Sequence, residues 1–264
     1  MVKSTDEMGG VPYPPPVSND PAQFYTGLVA DAYAALRGTV APVGPYLRFV
    51  KRFGTPALEI GCGHGEPLLD LVAQGLEVVG LDSSADMLAN CSAEALRRGL
   101  TVDLVCQPVE TMQLHRELAA IYFAGPTFQL VIDLDAAADA LTRIASHLAP
   151  NGRALIPLFV PDPIDERMIG RWKEHVTEVG DTLAVRTLSQ SSRPDERRID
   201  TVLEYRRGTV DSPTEVVTRT WSLRWYGEGE FETLSTGAGL AVDAVRDHGA
   251  FGRSLILRRV DASI

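Results

Sequence analysis

Gly61, Gly63 and Gly65 stand at alternate positions directly after the short apolar run Ala57-Leu58-Glu59-Ile60 and before a helix-compatible stretch, Glu66 to Gln74. Glycines at such a turn admit positive φ and let a ligand reach the backbone with no Cβ in the way. A nucleotide-like cofactor suits that turn. The spacing is Gly-x-Gly-x-Gly, so the Gly-x-Gly-x-x-Gly pyrophosphate fingerprint of dinucleotide enzymes is not met. Seventeen residues after Gly65, the run Val78-Val79-Gly80-Leu81 ends in Asp82. That places a carboxylate at the carboxyl end of the next strand, where it can accept both hydroxyls of a ribose. Farther along, Trp172, Glu174 and His175 fall in a stretch that reads as a helix over about Ile164 to Thr177, and Glu174 or His175 can take a proton from an acceptor. The competing reading of Glu174 is a solvated helix face. His64, between two glycines, either contacts a carboxylate or faces solvent, and Cys62 reads as a small residue under the cofactor because no base adjoins it in sequence.

These residues need a scaffold, and the chain alternates short apolar runs with helical ones from Pro56 onward, the pattern of a parallel sheet covered by helices. Strands are expected at about Ala57–Ile60, Glu77–Leu81, Thr101–Cys106, Ala119–Ala124 and Arg153–Phe159. Ser83 or Ser84 is placed to cap one helix, and Asp135 another, whose Leu141, Ile144, Ala145 and Leu148 share a face. Upstream, five prolines between Gly10 and Pro21 read as an extended or disordered arm over 1–21. A helix is expected from about Ala22 through Leu36, with Gly38 just beyond it, and another over Gly44 to Phe53, together a helical cover over 22–53. After Pro161 come three period-two runs, about Thr182–Ser189, Ile199–Arg207 and Glu215–Tyr226, separated by turn-prone Ser-Arg-Pro-Asp and Asp-Ser-Pro. They read as an antiparallel insertion over 161–226. A helix from about Gly229 to Thr236 and strands near Leu240–Val245 and Ser254–Arg259 return to the main sheet.

Within the insertion, Trp221, Leu223 and Trp225 fall on one strand face, which is either core or pocket. The arginine patches Arg193–Arg198 and Arg206–Arg207 read as solvated turns, with an anionic substrate as their other use. Gln129, after the fourth strand, either touches the pocket or caps a turn. Tyr25, Gln129, Trp172, Trp225 and Tyr226 are the candidate substrate-pocket residues.

Composition narrows the class. The 264 residues are 45% hydrophobic and 23% charged, enough to bury a core as one large domain (22–264). A net charge of −10 repels a phosphate backbone on average, so nucleic acid is not an expected partner. No run approaches the roughly 18 apolar residues of a membrane span, and no apolar leader opens the chain, so a cytoplasmic protein with no membrane partner, monomeric or homodimeric, is expected. Three cysteines without Cys-x-x-Cys spacing argue against a disulfide framework or a zinc knuckle, and no metal site is expected.

Together the glycine turn and Asp82 resemble the first two motifs of the class I S-adenosylmethionine-dependent methyltransferases. The resemblance continues in Gly80 to Leu88, in Val105 to Met112 and in Leu148 to Arg153, over roughly Tyr25 to Val260. Gly125 to Leu130 and Trp225-Tyr226 are similar to the small-molecule methyltransferases of bacterial secondary metabolism. The resemblance implies an α/β fold, a doubly wound, mostly parallel, seven-stranded Rossmann-like sheet with an antiparallel lid insertion. It implies S-adenosyl-L-methionine as cofactor and a small-molecule acceptor. It puts Gly61, Cys62 and Gly63 against the methionine part and Glu59 beneath the loop. Asp82, with Ser83, would take the ribose, Met87 would pack on adenine, Gln107, Pro108, Val109 and Glu110 would border it, and Phe123 and Ala124 would face the amino group. Proline at 108 departs from the family, since many relatives carry there an acid that accepts from adenine. Two other readings stay open: a non-catalytic cofactor-binding or dimerisation module, and a nicotinamide dehydrogenase, which the glycine spacing disfavours.

Overall fold

A computed structural model describes residues 21–37, 42–178, 180–249 and 252–260. The expected arm over 1–21 therefore lies outside the described residues except for Pro21, as does Gly38.

The main sheet has seven strands, β1 (Ala57–Ile60), β2 (Val78–Asp82), β3 (Asp103–Cys106), β4 (Leu118–Phe123), β5 (Leu148–Leu158), β10 (Leu240–Asp247) and β11 (Arg253–Arg259), ordered β10-β11-β5-β4-β1-β2-β3. Strands β1 to β5 run parallel, with β1 between β2 and β4, and β11 is antiparallel to both neighbours. All four residues of β1 are buried, because helices cover both faces. Strand alternation sorts the core into two layers. Leu58, Ile60, Leu81, Ile121 and Phe123 face α6 (Leu134–His147) and α7 (Glu230–Gly237). Ala57, Val78, Ala120 and Tyr122 face α3 (Val43–Phe53), α4 (Leu68–Ala73) and α5 (Ala85–Arg97). Ser84 caps α5 by accepting from the Met87 amide. Asp133, not Asp135, caps α6 by accepting from the Ala136 amide at 2.9 Å, two residues earlier than expected.

The insertion is a separate antiparallel sheet of four strands, β6 (Lys173–Val176), β7 (Thr182–Arg193), β8 (Arg198–Gly208) and β9 (Pro213–Arg224). Its three long strands stand where period-two alternation puts them; β6 was expected as helix. The stretch Ile164 to Thr177 holds only a short 3-10 turn, Glu166–Met168, before β6 pairs with β7 from Lys173↔Val185 to Val176↔Thr182. Gly170 has φ +78° and its amide donates to the Thr187 carbonyl, which ends the turn and lays the chain along the sheet edge. The N-terminal helix also divides, into α1 (Pro21–Phe24) and α2 (Leu28–Leu36). Gly27 between them has φ +53°, and its amide donates to Asp86 of α5 at 2.7 Å. One face of the insertion packs on these helices: Phe24, Leu28, Val29, Ala32 and Leu36 form a third core with Leu183 and Tyr205.

Candidate functional site

Strand order reverses between β1 and β4, and in open α/β sheets ligands bind outside the carboxyl ends of the strands at such a point. A cavity of about 540 Å³ lies there. Its first wall is made of strand ends and the turns that follow them: Ile60 and Gly61 after β1, Leu81 to Ser83 after β2, Gln107 to Glu110 after β3, and Phe123 after β4. Its other wall comes from Pro21 of α1 and Tyr25 just after it, from Thr127, Leu130 to Asp133 and Ala136, and from Arg198 of the insertion.

The glycine turn is shaped by the protein itself. Gly61 has φ +69°, and a Cβ there would sit 2.2 Å from Thr127 Cγ2, so both backbone and packing require glycine. Gly63 has φ +55°, and a Cβ would meet only the mobile end of Met87 at 3.1 Å. The Gly63 amide donates to Asp82 Oδ2 and the Ser84 amide to Oδ1, each at 2.8 Å. Burial pushes the Asp82 carboxyl up from its ordinary range, and the amide bonds from Ser84, Gly63 and Ser83 pull it back. A carboxylate offers about four acceptor sites, so the amides of the turn leave Asp82 capacity for a ligand hydroxyl.

Eight of the expected cofactor residues line the cavity: Gly61, Asp82, Ser83, Gln107, Pro108, Val109, Glu110 and Phe123. The other five sit behind it. Glu59 is fully buried beneath the turn, its Oε2 accepting from the Tyr122 hydroxyl at 2.7 Å, and burial holds its pKa well above the ordinary value. Cys62 packs into the α4 and α5 layer, where a hydrogen bond with Cys91 and burial push its thiol up. Gly63 acts through its bond to Asp82. Met87 is 2% exposed, and its Cε packs under Gly63. Ala124 packs against the α3 layer, and its carbonyl accepts from Thr127.

Of the candidate pocket residues, Tyr25 lines the cavity and the others do not. Tyr25 hydrogen-bonds Trp221 through its side chain, its carbonyl accepts from Ser84 Oγ at 2.5 Å, and burial drives its phenol far up, so it stays protonated. Gln129 is fully buried as a clip: its amide group donates to the carbonyls of Phe159 and Arg224 and accepts from the Phe159 amide, at 2.8 to 2.9 Å. It joins the two ends of the insertion. Trp172 lies between the guanidiniums of Arg186 and Arg206, 4.5 and 4.7 Å from its ring. Trp225 donates its amide to the Arg197 carbonyl, and Tyr226 is core, packed on Phe128 and Phe231. Glu174 and His175 stand exposed on edge strand β6 and do not line the cavity. The lining residues that sequence reasoning missed are Pro21, Ile60, Leu81, Thr127, Leu130 to Asp133 and Ala136. Ile60 and Leu81 follow from strand ends, and Arg198 is marked in the sequence only as part of an arginine patch whose other use is an anionic substrate.

Residues 57–152 match the methyltransferase domain family. Over 106 residues the chain is 34% identical to a ubiquinone biosynthesis O-methyltransferase of Bradyrhizobium diazoefficiens, covering 39% of each protein. The chain spans only 24% to 39% of the length of the curated relatives it matches first. Its fold is similar to the CcbJ methyltransferase of Streptomyces caelestis, with a TM-score of 0.71 at 17% identity over 90% of this chain and 98% of that one. It is similar as well to the sugar N-methyltransferase KedS8 of a Streptoalloteichus species, with a TM-score of 0.68 at 19% identity over 99% of both. The matched methyltransferase domain carries the glycine turn, Asp82 and the strand ends of the cavity's first wall, and the cofactor to fit against that wall is S-adenosyl-L-methionine. The cavity fits that cofactor, since it joins the half-buried Asp82 carboxylate, the apolar Leu81, Pro108 and Val109, and the polar Gln107 and Glu110. Among the described residues no helix is long and apolar enough to cross a membrane.

Proposed function

We propose that the chain transfers a methyl group from S-adenosylmethionine to a small-molecule acceptor held in the second half of this cavity. The observation that carries the reading is the 540 Å³ space at the sheet's switch point, bounded on one side by Asp82 and Gly61 and on the other by Tyr25, Leu130 and Arg198. When bound, the cofactor supplies a sulfonium methyl, an electrophile that needs no further activation. Asp82 would hold the ribose hydroxyls, while Gln107, Glu110 and the Val109 amide would border the adenine. Thr127, Leu130 to Asp133 and Ala136 would form the acceptor wall, and the insertion would exclude water as a lid, a role supported by Arg198 reaching the cavity from β8.

Positioning is assigned most of the catalysis. Correct placement of two reactants is worth about 7–11 kcal/mol, against about 10² to 10⁴ in rate for a general base. The ionisable groups lining the cavity support this. Tyr25 stays protonated, Asp133 is committed to the α6 cap and Asp82 to the turn, and Glu110 is assigned to the adenine border. Glu174 and His175, exposed on β6, are given no part. The names of the relatives, an O-methyltransferase and a sugar N-methyltransferase, support an oxygen or nitrogen acceptor.

The test is calorimetric titration with S-adenosylmethionine and S-adenosylhomocysteine, followed by mass-spectrometric detection of deuterated methyl transfer to a panel of small hydroxyl and amine acceptors. Saturable binding with turnover on any member supports the reading. Binding without turnover on the whole panel favours the non-catalytic module, and no binding removes the cofactor site.

A further inference from the structure

The cavity border assigned to the adenine, Gln107 to Glu110, lies between β3, the outermost strand of the main sheet, and β4. Its one regular piece is the 3-10 turn Val109–Thr111, too short to hold a position by itself. Its place therefore depends on tethers. The Gln107 amide donates to the Asp82 carbonyl at 3.0 Å, which fixes the near end. The Gln113 amide donates to Gln107 Oε1 at 2.9 Å, which closes the loop on itself. At the far end the Leu114 amide donates to His147 Nε2 at 2.8 Å, while Val109 and Met112 anchor the loop in the core.

The partners of His147 dictate its tautomer. Its Nδ1 lies 2.7 Å from the Arg143 carbonyl, which can only accept, so Nδ1 carries the proton. The Ser146 hydroxyl, 3.2 Å from Nδ1, donates its own proton to the same carbonyl. Nε2 is then bare, as the Leu114 N–H requires. His147 is 7% exposed, and a side chain without that acceptor would leave a part-buried N–H unpaired. The residue ends α6, whose Ala136 and cap Asp133 line the opposite wall of the cavity. From Ala136 to His147 runs about 16 Å of one helix, so the bond that holds the loop also sets it against the acceptor wall.

We infer that His147 is a positioning residue: as the Nδ1–H tautomer it ties the loop from Gln107 to Leu114 to α6 and holds the atoms that read the cofactor's base in register with the rest of the cavity. This rests on the cofactor reading above and adds to it the residue that sets the adenine border. What the loop reads follows from the same network. With Oε1 taken by the Gln113 amide, Gln107 has its NH2 group left for the cavity it lines, a donor that suits the bare N1 of adenine and not the N1–H of hypoxanthine.

The experiment titrates the full chain by calorimetry with S-adenosylhomocysteine and with its inosine counterpart, S-inosylhomocysteine. Wild type is expected to prefer the adenine form tenfold or more. His147→Phe, which keeps a ring and loses both nitrogens, should weaken S-adenosylhomocysteine at least tenfold and cut that preference at least threefold. His147→Gln keeps an acceptor for the Leu114 amide and should hold both quantities within twofold of wild type. Ile144→Ala loosens the same helix with the bond intact, so it should lower stability in urea melts and leave the preference unchanged. Equal affinity of wild type for the two forms, an unaltered preference in the Phe variant, or a Gln variant as impaired as Phe overturns the inference. So does an equal loss of preference in Ile144→Ala, since general loosening would then explain it. If the Phe variant does not fold, long-range proton–nitrogen NMR of wild type decides: a bare Nε2 whose resonance moves when S-adenosylhomocysteine is added supports the inference, and a protonated or unmoved Nε2 overturns it. Failure of wild type to bind S-adenosylhomocysteine overturns the cofactor reading instead, and the spectra then judge the tautomer alone.

Discussion

The two walls of the cavity are held by different kinds of bond. On the parallel-sheet side the backbone sets the shape: the amides of Gly61 and Cys62 donate to the Leu81 carbonyl at 2.7 and 3.1 Å, and the Gln107 amide donates to the Asp82 carbonyl at 3.0 Å. On the insertion side the side chains do it. Arg198 is tied to Asp200, Arg207 to Asp31 of α2 at 2.5 Å, and Gln129 to the main chain of Phe159 and Arg224. Backbone bonds tolerate any side chain whose φ and ψ fit, so that wall fails through conformation. Side-chain bridges fail through loss of a partner, which lets the second wall be respecified one residue at a time.

The strongest way to break this contrast is at Gly61. Gly61→Val forces a side chain into positive φ and onto Thr127, which should cost about 2–5 kcal/mol of stability and abolish cofactor binding, read by urea melts and calorimetry. Gly63→Val, which meets only Met87 Cε, should be milder in stability and still obstruct the turn. Unchanged cofactor affinity in both would remove the turn from the site.

Next is the clip. Gln129→Ala leaves the Phe159 amide and two carbonyls without their partner, and about 2–4 kcal/mol should be lost in the same melts. Glutamine that serves only as cavity lining would give far less.

The glycine turn also carries a pH signature. Burial first, then the charge of Arg37, pushes the His64 imidazole from 6.5 down to about 4. The unfolded chain therefore binds the proton between those values. The stability from neutral His64 is fully present above pH 6.5 and is lost as pH falls through 4, up to about 3 kcal/mol. Melts of His64→Gln across that interval should show a shallower slope, and an unchanged slope would assign it to other groups.

Asp82→Ala should weaken the cofactor by about 1.5–3 kcal/mol, the range for hydrogen bonds to a charged group, with the fold retained. Equal affinity in a folded variant would take Asp82 off the ribose. The smallest effect belongs to the edge strand. Glu174→Ala and His175→Ala should each change stability by less than about 0.5 kcal/mol and leave cofactor affinity unaltered, because both residues stand exposed away from the cavity. A large effect of either on turnover would return the base to β6.

The cofactor wall was legible in the amino-acid sequence because each of its parts is local. A run of buried residues must end in a turn, alternate glycines mark where that turn admits a ligand, and a parallel register then brings Gly61, Asp82 and Gln107 to one edge without further instruction. The same locality exposed the three long insertion strands. What lay outside reach was decided by long-range packing. Period-two alternation says that Trp221 shares a face with Leu223, but not that α1 covers that face with Phe24 and makes it core. The stretch before β6 has no periodicity strong enough to part helix from strand, so pairing with β7 chose for it. Gln129 and Tyr226 carry polar and aromatic groups that suit a pocket or a core equally, and it is the closing of the insertion onto Phe128 and α7 that buries them. Arg198 reaches the cavity because β8 begins beside it. No residue near it in sequence records that position, since it follows from how two sheets are set against each other, 138 residues after Ile60.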